Sequence, residues 1–188
     1  MAVASIDRAA AVRAALRTLV AERGFHGASM GAVAQQAGVA TGTAYTHYAS
    51  KDDLVLAAYL ETKARLAQAA IGGVDAAAGA QERFEALWLA VYRHLHANRD
   101  DALFLLQVDS SPYRETAHAA ATAVADDPLL AEAARPDIAT RLIAAPLDVI
   151  YDLGLGPAVR LAATGTKLTK GQVAAVAAAC WRAITVPT

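Results

Sequence analysis

The sequence is poor in sulfur and in aromatic rings, with one cysteine, two methionines and 6% Phe, Trp and Tyr among 188 residues. A lone Cys180 excludes an internal disulfide framework and any cysteine-built metal centre. The histidines at 26, 47, 94, 96 and 118 form no ligand pattern, and His94 and His96 do not share a helix face. Long apolar runs are also missing. The longest stretch without Asp, Glu, Lys or Arg, 24–50, is rich in Ser, Thr, Gln and Gly and cannot span a membrane. The first residues include Asp7, Arg8, Arg13 and Arg17, which leaves no apolar signal-peptide core. A cytoplasmic protein with no membrane partner, no metal and no cofactor is expected.

What is abundant is alanine, 50 of 188 residues, within a composition that is 56% hydrophobic and 19% charged. Alanine enters helices at the lowest entropic cost and is depleted from strands. No stretch alternates with period two for long enough to make a strand, so the expected fold is all-α. The net charge of −1 divides unevenly: residues 1–51 carry a net +3 and the remainder a net −4. A small basic head on an acidic body is compatible with a polyanionic partner.

Residues 5–23 place Ile6, Ala9, Val12, Leu16, Leu19 and Val20 on one helical stripe, with Arg8 and Arg17 largely off it. Gly24 ends this helix, and Phe25 can pack back on its end. Ser29 caps a short helix holding Met30, Val33, Ala34 and Ala37. Gly38 turns the chain, Val39 plugs the turn, and a third helix of about seven residues opens near Thr41 and ends near Tyr48. Ser50 caps a fourth, running towards Ala70, with Asp52 and Asp53 in its first turn. Further helices are expected at 80–97, 99–110, 112–125, 128–135, 136–153 (kinked or divided at Pro146), from Pro157, and from the Thr169 cap to about Thr185. The acidic pairs Asp52-Asp53, Asp100-Asp101 and Asp126-Asp127 fall at helix starts and read as caps.

Two short helices joined by a glycine turn and braced on both sides form a helix-turn-helix head. Ala34, Ala37, Val39 and Ala44 fit the close contact between them, and Tyr48 turns inward. The block 23–59, RGFHGASMGAVAQQAGVATGTAYTHYASKDDLVLAAY, resembles the TetR-type transcriptional regulators. Gly42, Tyr45, His47, Tyr48, Lys51 and Leu54 stand at that family's intervals, while Ala44 replaces a common leucine and Tyr48 a common phenylalanine. The resemblance implies a homodimer whose heads, residues 1–51, enter successive major grooves of a palindromic operator in double-stranded DNA. It implies a helical body, 52–188, that dimerises and binds a small-molecule effector.

The DNA-binding residues expected from this are Ser29, Thr41, Gly42, Thr43, Tyr45, Thr46, His47 and Lys51. The threonines offer hydroxyls to base edges or phosphates, Gly42 permits close approach, and Tyr45, His47 and Lys51 look like phosphate contacts. No Arg or Lys lies between Arg23 and Lys51, so readout relies on threonines, methyl contacts, water and DNA shape. Phosphate neutralisation is expected from Arg8, Arg13, Arg17, Arg23 and Lys51.

In the body, Trp88, Tyr92, Phe104, Gln107, His118 and Tyr151 are the expected ligand-binding residues, combining aromatic bulk with few polar handles. Few charged residues in 80–125 have reason to face inward, which favours an apolar or aromatic effector. The stripe Ala174, Ala175, Ala178 and Ala179, with Trp181 as anchor, beside Leu142, Ile143, Leu147 and Ile150, is the expected dimer face. No acid, base or nucleophile constellation points to an enzyme. The expected function is a ligand-responsive repressor, the alternatives being an all-helical small-molecule-binding protein or enzyme, or a helical interaction adaptor.

Overall fold

A computed structural model describes residues 7–186. Ile6, placed on the first helical stripe above, lies outside the described residues. The head consists of α1 (Arg8–Arg23), α2 (Met30–Gln36) and α3 (Thr41–His47). Asp7 caps α1 by accepting from the Ala10 amide at 3.1 Å, and Ser29 caps α2 by accepting from that of Ala32 at 3.2 Å. Val12, Leu16, Met30, Val33, Ala34, Ala44 and Tyr48 are buried together, whereas Val39 is only half-buried. Gly38 makes the turn between α2 and α3 at φ +67°, a left-handed conformation that glycine adopts without cost. A Cβ there would meet no neighbour, so Gly38→Ala carries only the backbone penalty. We expect a loss of about 1–2 kcal/mol in urea unfolding.

The body begins with α4 (Lys51–Ile71), which runs through the expected boundary at 51/52 as one helix capped by Ser50. It continues with α5 (Ala80–Ala97), α6 (Arg99–Asp109), α7 (Arg114–Thr122) and α8 (Pro128–Ala133). The helix expected over 136–153 is not continuous. It splits into α9 (Pro136–Ala139) and α10 (Leu147–Gly154), because Pro146 cannot donate to a helical ladder and becomes the N-cap of α10. Between them, Leu142 forms an isolated antiparallel bridge with Thr185. The last two helices are α11 (Gly156–Thr164) and α12 (Lys170–Ile184), the latter opened by a Thr169–Gln172 capping box.

Helix α5 is the axis of the body, packed on by α4, α6, α11 and α12. Its apolar residues Phe84, Leu87, Trp88, Val91, Tyr92 and Leu95 are all buried. Arg83, 2% exposed, pairs with Glu132 at 2.6 Å and Asp137 at 2.7 Å and so ties α5 to α8 and α9. No helix among the described residues is long and apolar enough to cross a membrane.

Candidate nucleic-acid interface and effector cavity

Helix α3 presents Thr41, Gly42, Tyr45, Thr46 and His47 outward, with Thr43 half-buried. Tyr45 is 50% exposed, an uncommon state for a large ring without a surface role. The N-cap of α3, Ala40, makes no side-chain cap bond. Thr46 donates its hydroxyl proton to the Gly42 carbonyl at 2.9 Å, so only its lone pairs remain for a partner. Ser29 is exposed at the start of α2.

The far end of α3 is anchored through Tyr48, its C-cap. The Tyr48 hydroxyl accepts from Arg13 Nη1 at 2.5 Å and donates to the Ala9 carbonyl at 3.3 Å. Arg13 in turn donates to Glu61 Oε1 on α4 at 2.7 Å and 2.9 Å. Arg17 binds the other oxygen of Glu61 and reaches Asp101 on α6 at 3.0 Å, and Asp101 also pairs with Arg65 at 2.7 Å. The chain Tyr48–Arg13–Glu61–Arg17–Asp101 therefore connects the reading helix with the body. Burial alone would raise the Glu61 carboxyl, but the bonds from Arg13 and Arg17 outweigh it and hold it below its ordinary range.

This network corrects three expectations. Arg13 and Arg17 are committed to carboxylates, and Arg17 is buried within the stripe rather than off it, so neither is placed to neutralise DNA phosphates. Asp101 turns into the ion-pair cluster instead of capping α6. Phe25 packs across on the body, 4.9 Å from the Tyr113 ring and 6.4 Å from that of Phe104. Lys51 donates to the Phe25 carbonyl, and Asp52 accepts from the Tyr113 hydroxyl at 2.8 Å, so the head is fastened at its outer edge too.

A cavity of about 510 Å³ lies in the body between α4, α5, α7, α8 and α10, in the size range of ligand sites. Leu147 and Asp148 line it while remaining exposed, so it opens at the start of α10. Of the six expected ligand-binding residues, His118 and Tyr151 line this cavity, and Trp88, Tyr92, Phe104 and Gln107 do not. Trp88 stacks on Tyr92 at 5.8 Å and donates to the Gly154 carbonyl at 3.0 Å, inside the core. Phe104 is fully buried, and Gln107 is exposed near Gly24. Few inward charges were expected from 80–125, and the wall takes Arg114 and Glu115 from that span, with Lys63, Asp127, Glu132 and Asp148 from outside it. Tyr59 and Lys63, one turn apart on α4, are among the wall residues that sequence reasoning missed. Their spacing, four residues, was the available signal.

A helix-turn-helix head whose reading helix is exposed, mounted by a long helix on an all-helical body with a cavity, defines a class of DNA-binding regulator. Residues 12–58 match the family model described as bacterial regulatory proteins, tetR family. Along nearly its whole length the chain has the fold of solved proteins of that type. One is a tetR family transcription regulator from Shewanella sp. PV-4, at 25% identity and TM-score 0.79, with 96% of this chain and 99% of that one covered. A second is a TetR-family transcriptional regulator from Haemophilus influenzae RD, at 22% identity and TM-score 0.77, with 98% and 100% covered. A third is the transcriptional regulator FadR from Bacillus subtilis in complex with stearoyl-CoA, at 18% identity and TM-score 0.66, with 92% and 95% covered. No sequence among the curated proteins matches. Residues 12–58 thus match the tetR family's DNA-binding head, and the chain as a whole has the fold of TetR-family transcriptional regulators.

Proposed function

We propose that the protein is a homodimeric repressor that binds a palindromic operator through α3 and leaves it when a small molecule with a substantial apolar body enters the cavity. The observation that carries this reading is the continuous ion-pair chain between the α3 cap and α6, beside a cavity walled partly by the same helix α4. A ligand that shifts α4 would shift Glu61 and with it the seat of the reading helix.

Within that reading, Thr41, Thr43 and Thr46 meet base edges or phosphates, and Gly42 lets the start of α3 approach the backbone. Tyr45, His47 and the α2 start at Ser29 contact phosphates. Lys51 gives one ammonium proton to Phe25 and keeps two for a phosphate. The body dimerises through the outer face of α12, where Ala174, Ala175 and Ala179 are exposed, together with Val149 and Leu153 of α10. Trp181 is not the anchor, because it is 2% exposed and packs on Phe84 at 5.4 Å within its own chain.

The test is titration of the protein on a duplex from the DNA flanking its gene and on a scrambled duplex, at matched salt. Tyr45→Phe should weaken both complexes equally. Thr43→Ala should weaken only the specific one, by about 1–3 kcal/mol for a direct base contact. Equal loss on both duplexes for Thr43→Ala would remove it from the readout. Ala175→Glu should yield monomers in analytical ultracentrifugation, and a parent protein that is monomeric at micromolar concentration would overturn the dimer.

A further inference from the structure

The cavity holds three polar groups that the fold leaves without a partner. Tyr59 is 2% exposed, yet among the described residues its hydroxyl makes no hydrogen bond. The same holds for the hydroxyl of Tyr151 and the ammonium of Lys63. Lys63 lies 4.3 Å above the Tyr151 ring, whose face attracts its charge. His118 joins the two tyrosines, stacked on Tyr59 at 6.0 Å and edge-on to Tyr151 at 5.9 Å, and Lys63 adjoins them through the Tyr151 ring. Its own position is fixed by Asp109 at 2.8 Å.

The other charges of the wall are accounted for. Arg114 pairs with Asp152 at 2.9 Å, and Glu132 with Arg83 at 2.6 Å. Asp127 caps α8, and Asp148 accepts from the Val149 amide. Glu115 is exposed. Lys63 feels Asp127 and Asp109 through space, but among the described residues no carboxylate lies within ion-pair distance of its ammonium. None of the three polar atoms is sealed off from the cavity, so each is open to a partner that enters it.

We infer that the cavity binds an apolar monocarboxylic acid, its carboxylate held by the Lys63 ammonium and the Tyr59 and Tyr151 hydroxyls and its apolar body lying among Phe84, Leu87, Leu130 and Ile138. This rests on the reading of the cavity as an effector site and names its ligand class. The donor set suits the head group, because two phenols and an ammonium only donate to an anion, and a carboxylate has about four lone-pair sites to receive them. Burial pushes both phenols well above their ordinary range, so they remain donors. Burial pulls the Lys63 ammonium down, a penalty that an anion beside it would remove. The remaining lining is mostly aliphatic and excludes a strongly polar body.

Calorimetric titration of the DNA-free protein with decanoate, decan-1-ol and methyl decanoate separates the head group from the chain. Decanoate should bind at least about tenfold tighter than the other two, a gap of about 1.4 kcal/mol. Lys63→Met should abolish this preference while leaving decan-1-ol binding intact, Lys63→Arg should restore most of it, and Tyr59→Phe should reduce it severalfold. Equal affinity of the parent protein for the three probes overturns the inference, and that comparison needs no variant to fold. A preference that survives Lys63→Met overturns it as well. Release of DNA is measured separately. Decanoate bound through Lys63 without release keeps this site and removes the repressor reading, whereas release by a neutral apolar molecule with no carboxylate preference does the reverse.

Discussion

Glu61→Ala is expected to destabilise the protein by about 3 kcal/mol in urea unfolding at neutral pH, the lower end for a broken buried ion pair. The lower end applies because the Arg13 and Glu61 side chains keep 20% and 25% of their exposure. The size follows from the charge count of the cluster: Arg13, Arg17 and Arg65 face Glu61 and Asp101, three cations on two anions. Removing Glu61 leaves three cations on one carboxylate. Arg17→Met instead leaves two of each with an apolar stem of similar length, and should change stability by about 1 kcal/mol or less. Because the folded Glu61 carboxyl sits below its ordinary range, its contribution is complete above the unfolded value and is lost as pH falls through the folded one. The gap between parent and Glu61→Ala should therefore be full at pH 7 and close under acid. A gap that widens under acid, or an Arg17→Met variant as damaged as Glu61→Ala, would refute this account. DNA affinity should fall in Glu61→Ala on specific and scrambled duplexes alike, since Tyr48 and the whole of α3 lose their seat rather than one base contact.

The head was legible because its signals are local. Ser29 and Ser50 each accept the expected helix-opening amide, and Gly38 takes the left-handed turn that glycine enters most cheaply. Division at Pro146 was legible for the same reason. Arg17 was not, because the element that buries it, α6, lies far along the chain, and helical periodicity knows nothing of a later partner. Its charge argued for solvent, and only Glu61 and Asp101 from two other helices reverse that. The cavity failed in the opposite direction. Trp88 and Tyr92 on α5 looked like a ligand wall, but four helices cover α5 and these two rings fill the core. Phe84 alone of its aromatics reaches the cavity, which opens at the start of α10. Tyr59 and Lys63 look like ordinary helix positions until the missing partners are counted.

Trp88→Ala is expected to cost about 3–5 kcal/mol, the range for emptying a fully buried aromatic site. Trp88 is 0% exposed, stacks on Tyr92 and donates to the Gly154 carbonyl across α5 and α10. The Gly154 carbonyl loses its partner in the same step. Trp88→Phe keeps most of the ring volume and loses the donor, so it should cost clearly less, about 1–3 kcal/mol. A domain of ordinary stability, about 5–15 kcal/mol, still folds in most of that interval. At low temperature and without denaturant, the folded fraction of Trp88→Ala should then bind decanoate nearly as the parent does, since Trp88 is not in the cavity wall. Lys63→Met should show the reverse pair of effects, near-parental unfolding with the carboxylate preference lost. A Trp88→Ala protein that unfolds like the parent but no longer binds decanoate would place the indole in the ligand site.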